Sequence, residues 1–414
     1  MSDAAYEQFA RALLDGAIIA DPWLDGTPRF SLTPAVISRD EAAALLRVGA
    51  DVASVYDELC RIVDEDPELL DSFFALSPAQ KVMWQASAPL WHAIGRVDVF
   101  ETHEGYAITE LNSDTPTGEA ETVELSRLIA PRHPELVDPN TALASRFVAI
   151  AEALTRRWVG PDAPRTAAIV YPTEFTEDLS LIKLYRQWLS AAGWRVVLGS
   201  PYNLSREADG PLRCFHEPVS LLIRHYKTDW WGERGSVWRD DPIPDAAPLV
   251  GPLEAALGAF VDHRTAVLNP FGAVLPQNKR AMALMWEHIH RFSHANQAVI
   301  ERLVPYTVRL ETLHEAELMS QRDAWVLKSD YGAEGDEVLI GRDHTDTEWR
   351  EVTAECQPGR WVAQRYFAAR QDAEGHVTNW GVFVLGGEAV GLYARRSKGA
   401  TDETALSLAT LIRP

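Results

Sequence analysis

The segment GRVDVFETHEGYAITELNSDTPTG, residues 95–118, decides how the rest of the chain is read. Two stretches of alternating apolar and polar residues flank His103-Glu104-Gly105, the pattern of a β-hairpin with a three-residue loop and glycine at its left-handed position. Pairing Thr102 with Tyr106 sets Asp98 opposite Glu110 and Arg96 opposite Asn112, all four on one face. Opposed side chains in a sheet stand about 4.5–5.5 Å apart at Cβ, so facing carboxylates repel unless a cation lies between them. Oxygen donors from Asp, Glu and Asn suit a hard cation such as Mg²⁺, which joins one or two carboxylates with phosphate oxygens. Arg96 beside them adds a fixed positive charge for a phosphoryl group. The same residues also describe an ordinary arginine–carboxylate network on a hairpin surface, and a one-residue slip separates the acids.

Upstream, residues 1–95 read mostly as helix, with Ser38 the N-cap of SRDEAAALLRVGADVASVYDELCRIV and acids in its first turn. Downstream, helix returns from 119 to about 158, broken at Pro131 and Pro134. Residues 165–229 read as an α/β unit: RTAAIVY and WRVVLGS as strands around the helix EDLSLIKLYRQWLSAAG, then VSLLIRHYK as a further strand. Residues 230–275 are irregular and proline-rich with a short apolar helix near 252–261, and helix resumes at 276–303. The last third, 323–414, is a series of short strands with glycine turns, and Gly386-Gly387 between apolar runs signals a second hairpin. The mixture predicts an α+β protein of several lobes, divided at 1–164, 165–275 and 276–414.

Composition bounds the partners. With 46% hydrophobic and 24% charged residues the 414-residue chain is globular, and a net charge of −21 argues against nucleic-acid and anionic membrane partners. Only six of its 39 basic residues are lysines: Lys81, Lys183, Lys227, Lys279, Lys328 and Lys398. Cys60, Cys214 and Cys356 are odd in number and far apart, which fits a reducing cytoplasm, with Cys60 read as a buried thiol in an amphipathic helix. The opening MSDAAYEQFARALLDG lacks the basic and apolar regions of a secretory signal, and no 18-residue apolar run occurs, so a cytoplasmic location is expected. His288, His290 and His294 place two histidines four apart on a predicted helix, read as a polar face rather than a zinc site because no HExxH pattern accompanies them.

The hairpin segment resembles the Mg²⁺-binding signature of the glutathionylspermidine synthase family, peptide–amine ligases with a circularly permuted ATP-grasp fold. Arg96, Asp98, Glu110, Asn112, Asp114, Thr115 and Thr117 match its pattern R-x-D followed by E-x-N-x-D-[TS]-x-[TS]. Later blocks follow in the family's order: RHYKTDWWGER (224–234), LNPFGAVLPQNKRAMALMWEH (268–288), WVLKSDYGAEGDEVLIG (325–341) and ARRSKGATDET (394–404). They depart from it at Lys227 and Ser329, where proline is usual, at Asp229 for Glu, and at Arg396 for glutamate. The resemblance covers roughly residues 20–414. It implies a helical region carrying the Mg²⁺ hairpin in 1–164, an α/β preATP-grasp lobe in 165–275 and the nucleotide-binding part in 276–414. By the same resemblance Asp98, Glu110 and Asn112 hold two Mg²⁺, and Lys279 and Lys328 hold ATP phosphates under a loop containing Gly332 and Gly335. Gln364 meets the adenine, and Arg395, with Arg396 next to it, reaches the reacting phosphoryl group from a mobile closing loop.

The substrates implied are a small acid and an amine. Thr115 and Thr117 correspond to acyl-substrate contacts, and Glu174, Glu177 and Asp178 to an acidic cluster that receives a polyamine in the family. Acids there also complement a helix N-terminus without any ligand. Arg224 either clamps a second carboxylate or pairs structurally. No room is expected for the N-terminal amidase half that some members carry. The function expected is an ATP-dependent carboxylate–amine ligase acting through an acyl phosphate. The alternatives are a non-catalytic nucleotide-binding regulator of the same fold and a small-acid kinase. Which acid, which amine and what oligomeric state are left open by the sequence.

Overall fold

The computed structural model describes residues 3–173, 178–233, 249–332, 337–357, 359–399 and 404–414. Its centre is a five-stranded antiparallel sheet in the order Leu406–Leu408, Glu388–Ser397, Val377–Leu385, Ile94–Thr102, Gly105–Asn112. The hairpin from the first third and strands from the last third therefore share one sheet and one core. Val97, Val99 and Leu111 turn one face toward the long helix Arg39–Glu65, whose Ser38 capping box forms as its Ser-x-x-Glu sequence predicts. The opposite face carries Arg96, Asp98, Asn379 and Arg395. Gly386 and Gly387, both at positive φ (61° and 85°), turn Val377–Leu385 into Glu388–Ser397, a conformation that glycine adopts without a Cβ penalty.

The first hairpin is tighter than its sequence reading. Thr102 pairs with Gly105 rather than Tyr106, which leaves His103-Glu104 as a two-residue turn. A bulge at Thr109 then inserts one residue and restores Asp98 opposite Glu110 and Arg96 opposite Asn112. The bulge has a packing cause. Tyr106 and Ile108 face the core on one side of it and Leu111 on the other, a change of parity that an unbroken strand cannot satisfy.

A second antiparallel sheet orders Thr307–Arg309, Trp361–Arg365, Trp325–Ser329 and Val338–Ile340. Trp325, Leu327 and Ala363 pack its outer face under Trp349, while Val326, Lys328 and Gln364 look toward the first sheet. The α/β lobe is a four-stranded parallel sheet, ordered Ala266–Leu268, Leu221–Arg224, Thr166–Val170, Arg195–Gly199. A short parallel pair, Ala35–Ser38 with Thr410–Arg413, joins the two ends of the chain.

The predicted 276–303 helix is broken. Arg280–Glu287 ends before His288, a 3-10 turn follows at Ile289–Arg291, and Ser293 caps a new helix, His294–Leu303. His290 and His294 thus lie on different elements, not on one helical face. Among the described residues no helix is long and apolar enough to cross a membrane. Cys60, Cys214 and Cys356 are buried and unbridged.

Candidate active site

Between the two antiparallel sheets lies a cleft of about 1180 Å³, closed at one end by residues of the α/β lobe. The first sheet contributes Arg96, Asp98, Glu110, Asn112 and Arg395; the second contributes Lys328, Gln364, Val326 and Ile340. Thr115, Thr117, Asp178, Lys279 and Gly332 line it as well. Of the residues singled out from sequence, Glu174, Glu177 and Gly335 lie outside the described residues. Four of the six lysines in the chain, Lys227, Lys279, Lys328 and Lys398, line this one cleft.

Asp98 is the most tightly held group. Arg96 grips it with both arms of the fork, Nε to Oδ1 at 2.7 Å and Nη2 to Oδ2 at 3.1 Å. Arg395 Nη2 donates to the same Oδ2 at 2.7 Å, and Asn379 Nδ2 adds a bond at 3.4 Å. Burial alone would raise the Asp98 carboxyl, but Arg96 and Arg395 hold it below the ordinary carboxylate range. Arg96 lies across Gly381, where a Cβ would stand 2.8 Å from its Cδ, so glycine in the neighbouring strand makes room for the guanidinium. Its third nitrogen, Nη1, donates to the Thr117 carbonyl at 2.7 Å and so ties the hairpin to the segment after it.

Arg395 belongs to the strand Glu388–Ser397 and not to a loop, contrary to the sequence expectation. Strand alternation also separates it from its neighbour: Arg395 pairs with Asn379 on the cleft face, and Arg396 points the other way. Glu110 opens into the cleft, with Asn112 Nδ2 at 3.2 Å and Lys279 Nζ at 3.6 Å.

On the facing wall, among the described residues, Lys328 bonds only neutral oxygens, Gln364 Oε1 at 2.8 Å and the Thr109 carbonyl at 3.3 Å. That carbonyl belongs to the bulged residue, which shows what the bulge does for the site. Burial pushes the Lys328 ammonium down to about 8, against partial compensation from Glu110. Gln364 Nε2 donates to Thr307 Oγ1 at 3.0 Å, so its amide is fixed with the oxygen toward Lys328. Lys279 Nζ donates to the Gly332 carbonyl, and its backbone N–H to Asp330 O at 2.8 Å, which joins the lysine to the end of the strand bearing Lys328. Val326, Val338, Ile340, Tyr366 and Phe367 form an apolar slot beside Gln364, and the Arg342 guanidinium lies 3.4 Å from the Tyr366 ring centroid.

Arg224 stands apart from the cleft. It is 1% exposed, pairs with Asp114 Oδ1 at 2.6 Å and donates to Tyr226 O at 2.6 Å. Of its two sequence readings the structural one describes this geometry. Asp114 also accepts from the Thr228 N–H at 2.7 Å and hydroxyl at 3.0 Å, so the acid of the hairpin motif fastens the α/β lobe to the sheet. Asn269, which sequence reasoning passed over, does the same from the other side. Its Oδ1 accepts from the Ala93 and Ile94 N–H groups at 2.9 and 2.8 Å, and its Nδ2 donates to Ile94 and Ser113 carbonyls at 2.8 Å. Its signal was the Asn-Pro-Phe-Gly turn at 269–272, polar where it interrupts an apolar run.

Residues 236–413 match the family described as Glutathionylspermidine synthase preATP-grasp. No curated protein matches the chain by sequence. Among solved structures, a glutathione synthetase-like effector from Globodera pallida, in its apo form, aligns with a TM-score of 0.59 at 11% identity, over 98% of this chain and 95% of that one. The chain has an ATP-grasp-type fold. A gamma-glutamylcysteine synthetase-like protein from Methylobacillus flagellatus KT aligns at a TM-score of 0.48 and 14% identity, over 87% of this chain and 85% of that one. A RimK-domain ATP-grasp protein from Sphaerobacter thermophilus aligns at 0.31 and 14%, over 59% and 89%. The ATP-grasp assignment rests on the first of these three together with the family match. In the chain the acidic hairpin precedes both Lys279 and the strand Trp325–Ser329 that carries Lys328.

Proposed function

We propose that the protein is an ATP-dependent carboxylate–amine ligase that forms an amide through an acyl phosphate. The observation that carries this reading is the gathering of Arg96, Arg395, Lys279 and Lys328 around Asp98 and Glu110 in one cleft of a chain with net charge −21. An acidic protein concentrates cations at one place where a polyanion has to be held.

In this reading the apolar slot of Val326, Ile340 and Tyr366 takes the adenine, next to Gln364. Lys328 and Lys279 hold phosphate oxygens. Glu110 and Asn112 present oxygens to the cleft and would fit a Mg²⁺ ion; Asp98 would join them only with Arg395 turned from its Oδ2, the oxygen that carries both Arg395 and Arg96. Bound Mg²⁺ supplies charge neutralisation between phosphates. Thr115 and Thr117 orient the acid. A carboxylate oxygen attacks the γ-phosphorus and ADP leaves, with Arg96 and Arg395 stabilising the equatorial oxygens. The amine then attacks the acyl carbon, phosphate departs with the bridging oxygen, and the surplus amine proton is released. The protein supplies positioning and electrostatics for both steps.

The saturation of Asp98 by two arginines also suits a nucleotide-binding regulator that has lost turnover. The deciding experiment measures ADP and phosphate release against panels of acids and amines, with the amide identified by mass. Turnover that requires both substrates and collapses in Asp98→Asn and Glu110→Gln supports the ligase. Nucleotide-dependent thermal stabilisation without turnover on any pair selects the regulator.

A further inference from the structure

The end of the cleft away from the adenine slot is built by the α/β lobe. In its sheet the strand Thr166–Val170 is followed by Arg195–Gly199 on one side, then by Leu221–Arg224 on the other. The connections therefore diverge between Thr166–Val170 and Leu221–Arg224. In open parallel sheets the crevice outside the carboxyl ends of strands at such a divergence is where ligands bind. Here that crevice opens into the nucleotide cleft and is lined by Asp178 and Lys227.

Both groups are held by their surroundings. His225, 4% exposed, sits just past the end of Leu221–Arg224 and places Nε2 2.9 Å from Asp178 Oδ2. Its backbone N–H donates to Val170 O at 2.8 Å, so the two strand ends are locked together beneath it. Lys227 is flanked by fixed points: the Tyr226 carbonyl accepts from Arg224, and the Thr228 N–H donates to Asp114. Its ammonium lies 5.1 Å from the centroid of the Trp230 ring and is in no ion pair among the described residues. Asp229, which shares this end, already has a partner within the protein. Burial would raise the Asp178 carboxyl, but His225 and then Lys227 keep it low, so both groups act on the same space.

Among the described residues this crevice offers the fixed Asp178 carboxylate and a Lys227 ammonium in no ion pair, a set complementary to a molecule carrying both charges. A polyamine would bring a second cation against Lys227. Building on the ligase reading, we infer that the amine substrate is a zwitterion, an α-amino acid or short peptide whose ammonium is received by Asp178 and whose carboxylate is received by Lys227. The chemistry thus runs opposite to the polyamine expectation drawn from the sequence resemblance.

The test is equilibrium dialysis of the full chain, loaded with a non-hydrolysable ATP analogue and Mg²⁺, against a mixture of α-amino acids, the corresponding α-amino amides and spermidine, read by mass spectrometry. The amides keep the ammonium and lack the carboxylate. Retention of one or more amino acids, with their amides and spermidine roughly five- to tenfold weaker, is the expected result. Lys227→Ala should erase that difference between acid and amide, Lys227→Arg should preserve it, and Lys227→Glu should turn preference toward spermidine. Retention of spermidine or the amides as strongly as the acids, or of nothing at all, overturns the inference. Zwitterion retention in a protein that turns over no substrate pair would sink the ligase reading and leave Asp178 and Lys227 as a zwitterion-binding site without the substrate role.

Discussion

The two walls of the cleft handle charge in opposite ways. On the five-stranded sheet, Arg96 and Arg395 both grip Asp98, so the charged groups are paired with one another inside the protein, two guanidiniums on one carboxylate. On the second antiparallel sheet, Lys328 is buried against the neutral oxygens of Gln364 and Thr109, and no acid among the described residues is bonded to it. A matched wall is rigid and ready-made; an unmatched buried ammonium costs stability until an anion arrives. On the ligase reading proposed above, the lysine wall is where binding energy for a polyanion is stored, while the arginine wall is set for a later step. It also accounts for the use of lysine, whose compact ammonium shifts its proton affinity on burial, in a chain otherwise dominated by arginine.

Removing the buried ammonium breaks the lysine wall outright. Lys328→Met should weaken ATP binding by about a hundredfold or more, read by nucleotide-dependent thermal shift, since the phosphates lose their desolvated partner. Unchanged affinity would mean that the second sheet is not the phosphate wall. Next, Arg395→Ala should lower turnover by roughly a hundred- to a thousandfold while changing ATP affinity only a few-fold, because Asp98 keeps its bidentate Arg96 partner. Arg96→Ala should behave differently. It removes the two-pronged partner of a buried carboxylate and leaves Oδ1 without its arginine, with only Oδ2 still held by Arg395 and Asn379, and denaturant unfolding should show a loss of about 3 kcal/mol even without ligand. Equal stability losses in the two arginine variants would erase the distinction drawn between them.

The smallest effect is a pH dependence. Lys328 titrates near 8 when the cleft is empty, below its ordinary 10.5, so its charge is present at lower pH and fades as pH rises through 8. ATP affinity should therefore fall a few-fold between about pH 7.5 and 9, and Lys328→Arg should flatten the curve, as an arginine stays charged. The sign for stability is the reverse. The unfolded chain holds the lysine proton between about 8 and 10.5 and the folded one does not, so the unliganded protein gains stability as pH rises across that window.

Much of the first wall was legible because a strand repeats every two residues: Arg96, Asp98, Glu110 and Asn112 share a face as their spacing requires. The turn was misread by one residue, although the shift from Tyr106 and Ile108 to Leu111 already recorded the bulge. Arg395 and Arg396 could be separated only once their strand and its partner were known. Arg224 was left between two readings, and Asn269 escaped, for a different reason. Their partners, Asp114 and the Ala93–Ile94 amides, are more than a hundred residues away, and no local pattern encodes a bond of that span. The helix break at 288–293 had a local sign in Ser293 with Asn296 three residues on, a capping pair outweighed by the helical periodicity around it.

On the ligase reading, this cleft activates a carboxylate by phosphorylating it. The most direct measurement uses an acid substrate labelled with oxygen-18 in its carboxylate, incubated with ATP, Mg²⁺ and an amine, followed by mass analysis of the released phosphate. One labelled oxygen per phosphate for each amide formed is the predicted result, since the bridging oxygen leaves with phosphorus. Amide formation with unlabelled phosphate, or label recovered in AMP, would contradict it.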